Sequence, residues 1–309
     1  MQMVNVLGPV VLVMLLGSVL RRSNLFEARA FSAMNALTYR VGLPALLVVK
    51  TATLKPDLAG ALRIFYVIAA VALACIVVSF ALAHILGLSR PRRAAFVQGA
   101  YRGNLAFVGL SILLYAAHEP SAGPHIETLG LLTLGVAVPC YNALAVFVLA
   151  SSDASQRVAP LQLLQRIVTN PLLVAGLLGL AFSLVPLPFP MLLLRTGEAL
   201  GQMSLPLALL GIGAGLDLGA LRRDMWLPLA ATTIKLVVAP LLGLALATWM
   251  GLGVTERQVT LVLLSTPTAA AAFIMAEQMG ADAQLTTHII ILSTLLSTFS
   301  LAFALWYAF

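Results

Sequence analysis

Long apolar stretches separated by short polar clusters run through this chain from end to end. A membrane-spanning helix needs about 20 mostly apolar residues. Ten stretches meet that length: 4–20, 31–53, 60–87, 94–117, 127–150, 161–184, 190–216, 225–250, 257–279 and 284–308. The clusters between them carry Pro, Gly or charge, as in "SRPRR", "SSDASQRVAP", "VPLPFP" and "LRRD". The first stretch has no positive charge in front of it; Arg21 and Arg22 follow it instead. A cleaved signal peptide carries its charges first, so 4–20 reads as a first span with the N-terminus outside.

Composition agrees. The 309 residues are 61% hydrophobic and 9% charged, with a mean hydropathy of +1.02. A soluble domain is about 25% charged, so the sequence predicts an all-α integral membrane protein in contact with the lipid bilayer. The net charge of +7 does not point to nucleic acid, because no basic patch is interleaved with aromatics. Cys75 and Cys140 both lie in apolar runs and read as packed small residues. No metal-ligand spacing occurs, so neither a metal nor a cofactor is expected.

The basic residues instead report orientation. Arg21, Arg22, Arg29, Arg90, Arg92, Arg93, Arg157, Arg222 and Arg223 fall in loops after odd-numbered spans. Lys55, Arg63, Arg195 and Arg257 fall on the other side. The positive-inside rule then places both termini outside and the loop between spans 5 and 6 in the cytoplasm.

The halves also echo each other. Pro9 and Pro171, Gly17 and Gly179, and Leu43-Pro44 and Leu205-Pro206 all stand 162 residues apart, and Arg93 and Arg257 stand 164 apart. Five spans per half give the two copies opposite topology. The expected architecture is therefore ten transmembrane helices as a 5+5 inverted repeat, residues 1–155 and 156–309, the mark of a secondary transporter.

Spans 4 and 9 correspond in this scheme, and both are interrupted. Span 4 carries Arg102, Gly103, Asn104 and Gly109; span 9 carries Ser265, Thr266, Pro267 and Thr268 at mid-depth. Proline removes a helical hydrogen bond. Broken backbone at membrane depth survives only where protein or a cavity covers it. Paired breaks at matching positions point to a midplane binding site, and half-helix N-termini attract anions.

Arginine stays protonated and pairs well with carboxylates, so Arg102 and Asn104 are expected to face a cavity at the break. The alternatives for Arg102 are a structural pair with a carboxylate or snorkelling towards the cytoplasmic face. Lys235, deep in span 8, either lines the same cavity or pairs with an internal carboxylate or carbonyl. Glu277 is either an interfacial carboxylate or the carrier of a coupled proton. Arg40 reads as structural, Asp217 as a solvated helix end, and His84 and His288 as packed or interfacial.

Several motifs carry a family resemblance: "AMNALTYRVGLPAL" with Asn35 and Pro44, "YRGNLAFVGL" with Asn104 and Gly109, and "TNPLLVAGLLG" with Asn170 and Pro171. With "LPLALLGIGAGL", "IKLVVAPLLGL" and "TPTAAAAFIMAEQMGADAQL", the chain resembles the auxin efflux carrier family, which includes bacterial malate and malonate permeases and plant PIN-type carriers. That resemblance implies a fold related to bile-acid/sodium symporters. Spans 1, 2, 6 and 7 would form a scaffold, and spans 3–5 and 8–10 a transport domain moving as an elevator. It also implies an organic anion as substrate and a homodimer through the scaffold. Asn104 falls on the family's span-4 asparagine and Pro267 on a proline of the span-9 crossover. The chain departs at Ser111, where many members have proline, and in a short loop around 151–160 that suits a bacterial inner-membrane protein.

Together these readings predict a secondary transporter of small mono- or dicarboxylates such as malate or malonate. Arg102, Gly103, Asn104, Ser265, Thr266, Pro267, Thr268 and Lys235 would bind substrate. Gly109, Pro44 and Pro206 would shape the crossover and hinges, and H+ or Na+ would be the coupling ion. The competing readings are a passive anion channel and a bile-acid-symporter-like carrier of a larger organic anion. No His-Glu-x-x-His, paired membrane aspartates or nucleophile–base constellation points to an enzyme.

Overall fold

The computed structural model describes residues 2–23, 25–53, 57–123, 125–150, 165, 169, 171–183, 189–214, 225–269 and 271–309. Lys55, Arg157, Asn170, Asp217, Arg222, Arg223 and the 155/156 boundary lie outside the described residues. The described chain is a succession of helices: α1 Gln2–Arg22, α2 Ala28–Leu37, α3 Leu43–Thr53, α4 Leu58–Ile85, α5 Arg90–Tyr101, α6 Leu110–Ala116 and α7 Ile126–Ala150. It continues with α8 Pro171–Ser183, α9 Met191–Ala214, α10 Trp226–Thr233, α11 Ala239–Trp249, α12 Val254–Leu264, α13 Ala271–Gln278 and α14 Ala283–Ala308.

Single wide turns of π-helix join three consecutive pairs: Thr38–Gly42 between α2 and α3, Leu105–Gly109 before α6, and Ile234–Val238 between α10 and α11. Among the described residues, four helical stretches are long and apolar enough to cross a membrane: Leu58–Ile85, Ile126–Ala150, Trp226–Trp249 and Ala283–Ala308.

Helix starts follow from their caps. Asp57 accepts the Gly60 N–H at 2.8 Å to open α4, and Asp282 accepts the Leu285 N–H at 2.9 Å to open α14. Glu256 reaches back to the Gly253 N–H at 2.7 Å in the first turn of α12.

The helices pack in two groups. In the first, α1 lies along α9, and α3 lies against both α8 and α9. Small residues set these approaches, as close helix packing in lipid requires. A Cβ on Gly17 would come within 2.2 Å of the Leu210 carbonyl oxygen, and one on Gly42 within 1.9 Å of Ser204 Oγ. In the second group α4 packs on α5, α7, α11 and α12, while α14 packs on α5, α10, α12 and α13. Its interior holds Ile64, Ile68, Phe96, Ile112, Leu113, Val262, Leu263 and Ile289, all fully buried. Arg63 pairs with Glu256 at 2.7 Å, tying α4 to α12. Asp282 sits 3.8 Å from Arg92 and donates its N–H to the Pro91 carbonyl, tying α14 to α5. That second group carries both interrupted spans.

Candidate functional site

Helix α5 stops at Tyr101 because Arg102 takes an extended conformation, φ −76° and ψ 95°. Gly103 and Asn104 continue the break, and the wide turn 105–109 restarts the helix, with the Val108 and Gly109 N–H groups donating to the Asn104 carbonyl, each at 3.1 Å. Helix α12 likewise stops at Leu264, and Ser265 to Ala269 run non-helically before α13. Pro267 offers no N–H to prolong α12.

The two breaks meet. Gly103 and Thr268 pair antiparallel, the Asn104 N–H donates to the Pro267 carbonyl at 2.7 Å, and the Ala269 N–H donates to the Arg102 carbonyl at 3.0 Å. Each break thus satisfies backbone groups that the other sets free, which membrane depth demands. Thr268 fixes the crossing further: its hydroxyl donates to the Gly99 carbonyl at 2.8 Å and its N–H to Ser293 Oγ at 3.0 Å. The Thr266 hydroxyl folds back on the Leu263 carbonyl at 2.7 Å. Gly103 permits this contact, since a Cβ there would lie 2.8 Å from Thr266 Oγ1 and 2.9 Å from Leu105 Cδ2. Gly109 is similarly confined by Leu263 and Thr266.

Two cations flank the crossing. Lys235 lies in the wide turn of Ile234–Val238 and is 1% exposed. Its Nζ donates to the Leu264 carbonyl at 2.6 Å. That carbonyl ends α12, where the helix dipole is negative, so the ammonium complements it. Of the sequence alternatives for this lysine, an internal carbonyl is what the structure supplies; no carboxylate pairs with it among the described residues. Its Cε would be 3.3 Å from a Cβ on Gly103, so Lys235 belongs to the same locus. Arg102 is 4% exposed. It donates from Nη2 to Asn142 Oδ1 at 2.7 Å and from Nη1 to Met275 Sδ. The guanidinium thereby bridges α5, α7 and α13.

One polar side chain at the crossing is not so engaged. Asn104 is 4% exposed, and it is its backbone groups that make the bonds of the break. Ser265 Oγ is buried and has no hydrogen-bond partner among the described residues. Leaving a buried donor or acceptor unmade costs about 1–3 kcal/mol. A ligand carrying oxygens would meet that need.

Arg102, Gly103, Asn104, Ser265, Thr266, Pro267, Thr268, Lys235 and Gly109 are therefore assembled in one place. Glu277 is exposed in the last turn of α13, nine residues beyond Thr268. Pro44 and Pro206 lie in α3 and α9, within the first packing group. Sequence reasoning missed Asn142, Ser293 and Met275. For Asn142, the available signal was a lone carboxamide inside a long apolar run.

A family model described as "Membrane transport protein" matches residues 2–160 and 146–306. The chain is also 29% identical over 238 residues to a protein of Rhizobium meliloti (strain 1021) named "Putative malonate transporter". That match covers 71% of this chain and 70% of the relative. With matches along nearly its whole length, the chain belongs to the membrane transport protein family, the auxin efflux carrier family that its motifs resemble.

Proposed function

We propose that this transporter carries small mono- or dicarboxylates across the bacterial inner membrane by alternating access at the crossing of its two broken spans. One observation carries this reading: the buried Ser265 hydroxyl is left without a partner among the described residues where the breaks meet, beside Asn104 and the cations Arg102 and Lys235. Carboxylate oxygens accept hydrogen bonds and are strongest when the donor is charged. The relative's name points the same way, towards malonate.

The full architecture in this reading is ten spans in a 5+5 inverted repeat, with both termini periplasmic. The contact between Gly42 and Ser204, residues 162 apart, supports it, since that is the offset of the sequence echoes. The packing of α1, α3, α8 and α9 as one group supports a scaffold, past which the group holding the crossing slides as an elevator.

Counterflow in proteoliposomes preloaded with unlabelled malate, malonate, succinate or lactate tests this reading. Saturable uptake of the same labelled acid is expected for the wild type and a loss of about 100-fold or more for Arg102→Ala. That loss corresponds to about 2.7 kcal/mol, within the range of about 1.5–3 kcal/mol for a hydrogen bond to a charged group. A channel gives no counterflow, and that result would replace the carrier.

A further inference from the structure

A cavity of about 200 Å³ lies where α11 and the start of α12 meet the end of α14, away from the crossing, lined by Leu244, Val254, Arg257, Gln258, Leu261 and Tyr307. Three exposed aromatics fix its depth. Trp249 ends α11, and Trp306 and Tyr307 lie in the last turn of α14; they are 82%, 67% and 54% exposed. Exposed Trp and Tyr at the ends of membrane-length helices mark the headgroup level. The cavity therefore opens at the membrane interface, with Val254 and Tyr307 exposed at its rim.

Its polar chemistry is selective. Gln258 holds the floor: its Nε2 donates to the Ser121 and Ala308 carbonyls at 2.9 and 2.8 Å, and its Oε1 accepts the Gly123 N–H at 2.9 Å. That carboxamide has no N–H left to donate to an anion. The neighbouring carboxylate, Glu256, is taken up by Arg63 and by the Gly253 N–H. Arg257 is half-buried and forms no ion pair among the described residues, so its guanidinium faces the cavity's ligand uncompensated. Tyr307, stacked on Phe303 with ring centroids 6.0 Å apart, brings a hydroxyl to the same rim. Below them Leu244 and Leu261 form an apolar wall.

An anionic oxygen cluster above hydrocarbon at headgroup depth describes a phospholipid. We propose that this cavity binds the phosphodiester headgroup of an anionic phospholipid, with Arg257 as its forked donor, Tyr307 as a second donor and an acyl chain along the apolar wall. Guanidinium matches phosphate oxygens in bidentate geometry.

Native mass spectrometry of the full chain in detergent, titrated with phosphatidylglycerol or with inorganic phosphate, tests the assignment. Arg257→Gln is expected to weaken phosphatidylglycerol binding about tenfold, the loss of one charge-assisted pair. Arg195→Gln, altering an exposed arginine of α9, is expected to leave it unchanged. Should Arg257→Gln melt earlier in lipid-free detergent, Tyr307→Phe is read instead, with an expected weakening of about threefold. Equal phosphatidylglycerol affinity in the wild type and in the variant read would overturn the proposal. Displacement of the lipid by equimolar inorganic phosphate would also overturn it, leaving a site for free anions.

Discussion

Gly103→Val is expected to abolish transport while leaving the protein inserted in the membrane. A Cβ at this position meets Thr266 Oγ1 at 2.8 Å, Leu105 Cδ2 at 2.9 Å and Lys235 Cε at 3.3 Å. Thr266 cannot turn aside without giving up its bond to the Leu263 carbonyl. Relief must come from separating the two broken segments. That strains the bonds from Asn104 to Pro267 and from Ala269 to Arg102. Overpacking alone costs about 1–3 kcal/mol, and each buried backbone group left unpaired adds about as much. A drop of 100-fold or more in initial counterflow rate follows, since each 1.36 kcal/mol is about tenfold. Gly103→Ala should fall between the two. Wild-type rates for Gly103→Val would show that the crossing is not the tight contact described here.

The second large effect is expected at Lys235. Methionine matches its length without the ammonium, so Lys235→Met isolates the charge from the volume. The variant leaves the Leu264 carbonyl without its 2.6 Å partner at the negative end of α12. A hydrogen bond to a charged group contributes about 1.5–3 kcal/mol, so melting of the detergent-solubilised protein should shift downwards. Transport should also fall, and unequally. If Lys235 presents a second positive charge to substrate, dicarboxylate uptake falls about tenfold further than monocarboxylate uptake, as for loss of one charge contact. Parallel losses for malonate and lactate would confine Lys235 to holding α12.

Much of this was readable in the sequence because lipid imposes simple rules. Apolar length alone marks candidate spans, and Gly103 and Pro267 sit in apolar runs where a helix gains nothing from them. The sequence puts the two breaks on separate spans with polar residues beside them, and the structure brings those residues together.

What could not be read is how distant side chains pair. The sequence leaves Arg102 a choice of a cavity, a carboxylate or the cytoplasmic face, yet its hydrogen bonds run to Asn142 and Met275, 40 and 173 residues away. Hydropathy is blind to such partners, because a carboxamide or a thioether in an apolar run looks the same whatever it faces. The wide turns were equally hidden. The one at Leu105–Gly109 follows from backbone geometry after Asn104, and explains why Ser111 needs no proline to interrupt span 4: the break is complete upstream, at 102–104, and Ser111 merely returns its hydroxyl to the Phe107 carbonyl.

If the crossing itself receives the carboxylate, Asn104 is where a substitution reveals it most directly. The bonds that tie Asn104 into the crossing are those of its N–H and carbonyl, which Asn104→Ala keeps. Isothermal titration of the detergent-solubilised protein with malonate, comparing wild type and Asn104→Ala, is the direct measurement. Saturable binding is expected in the wild type, weakened tenfold or more in Asn104→Ala, with an unchanged melting temperature in the absence of ligand. Equal malonate affinity in the two proteins would contradict it and move the substrate site away from the crossing.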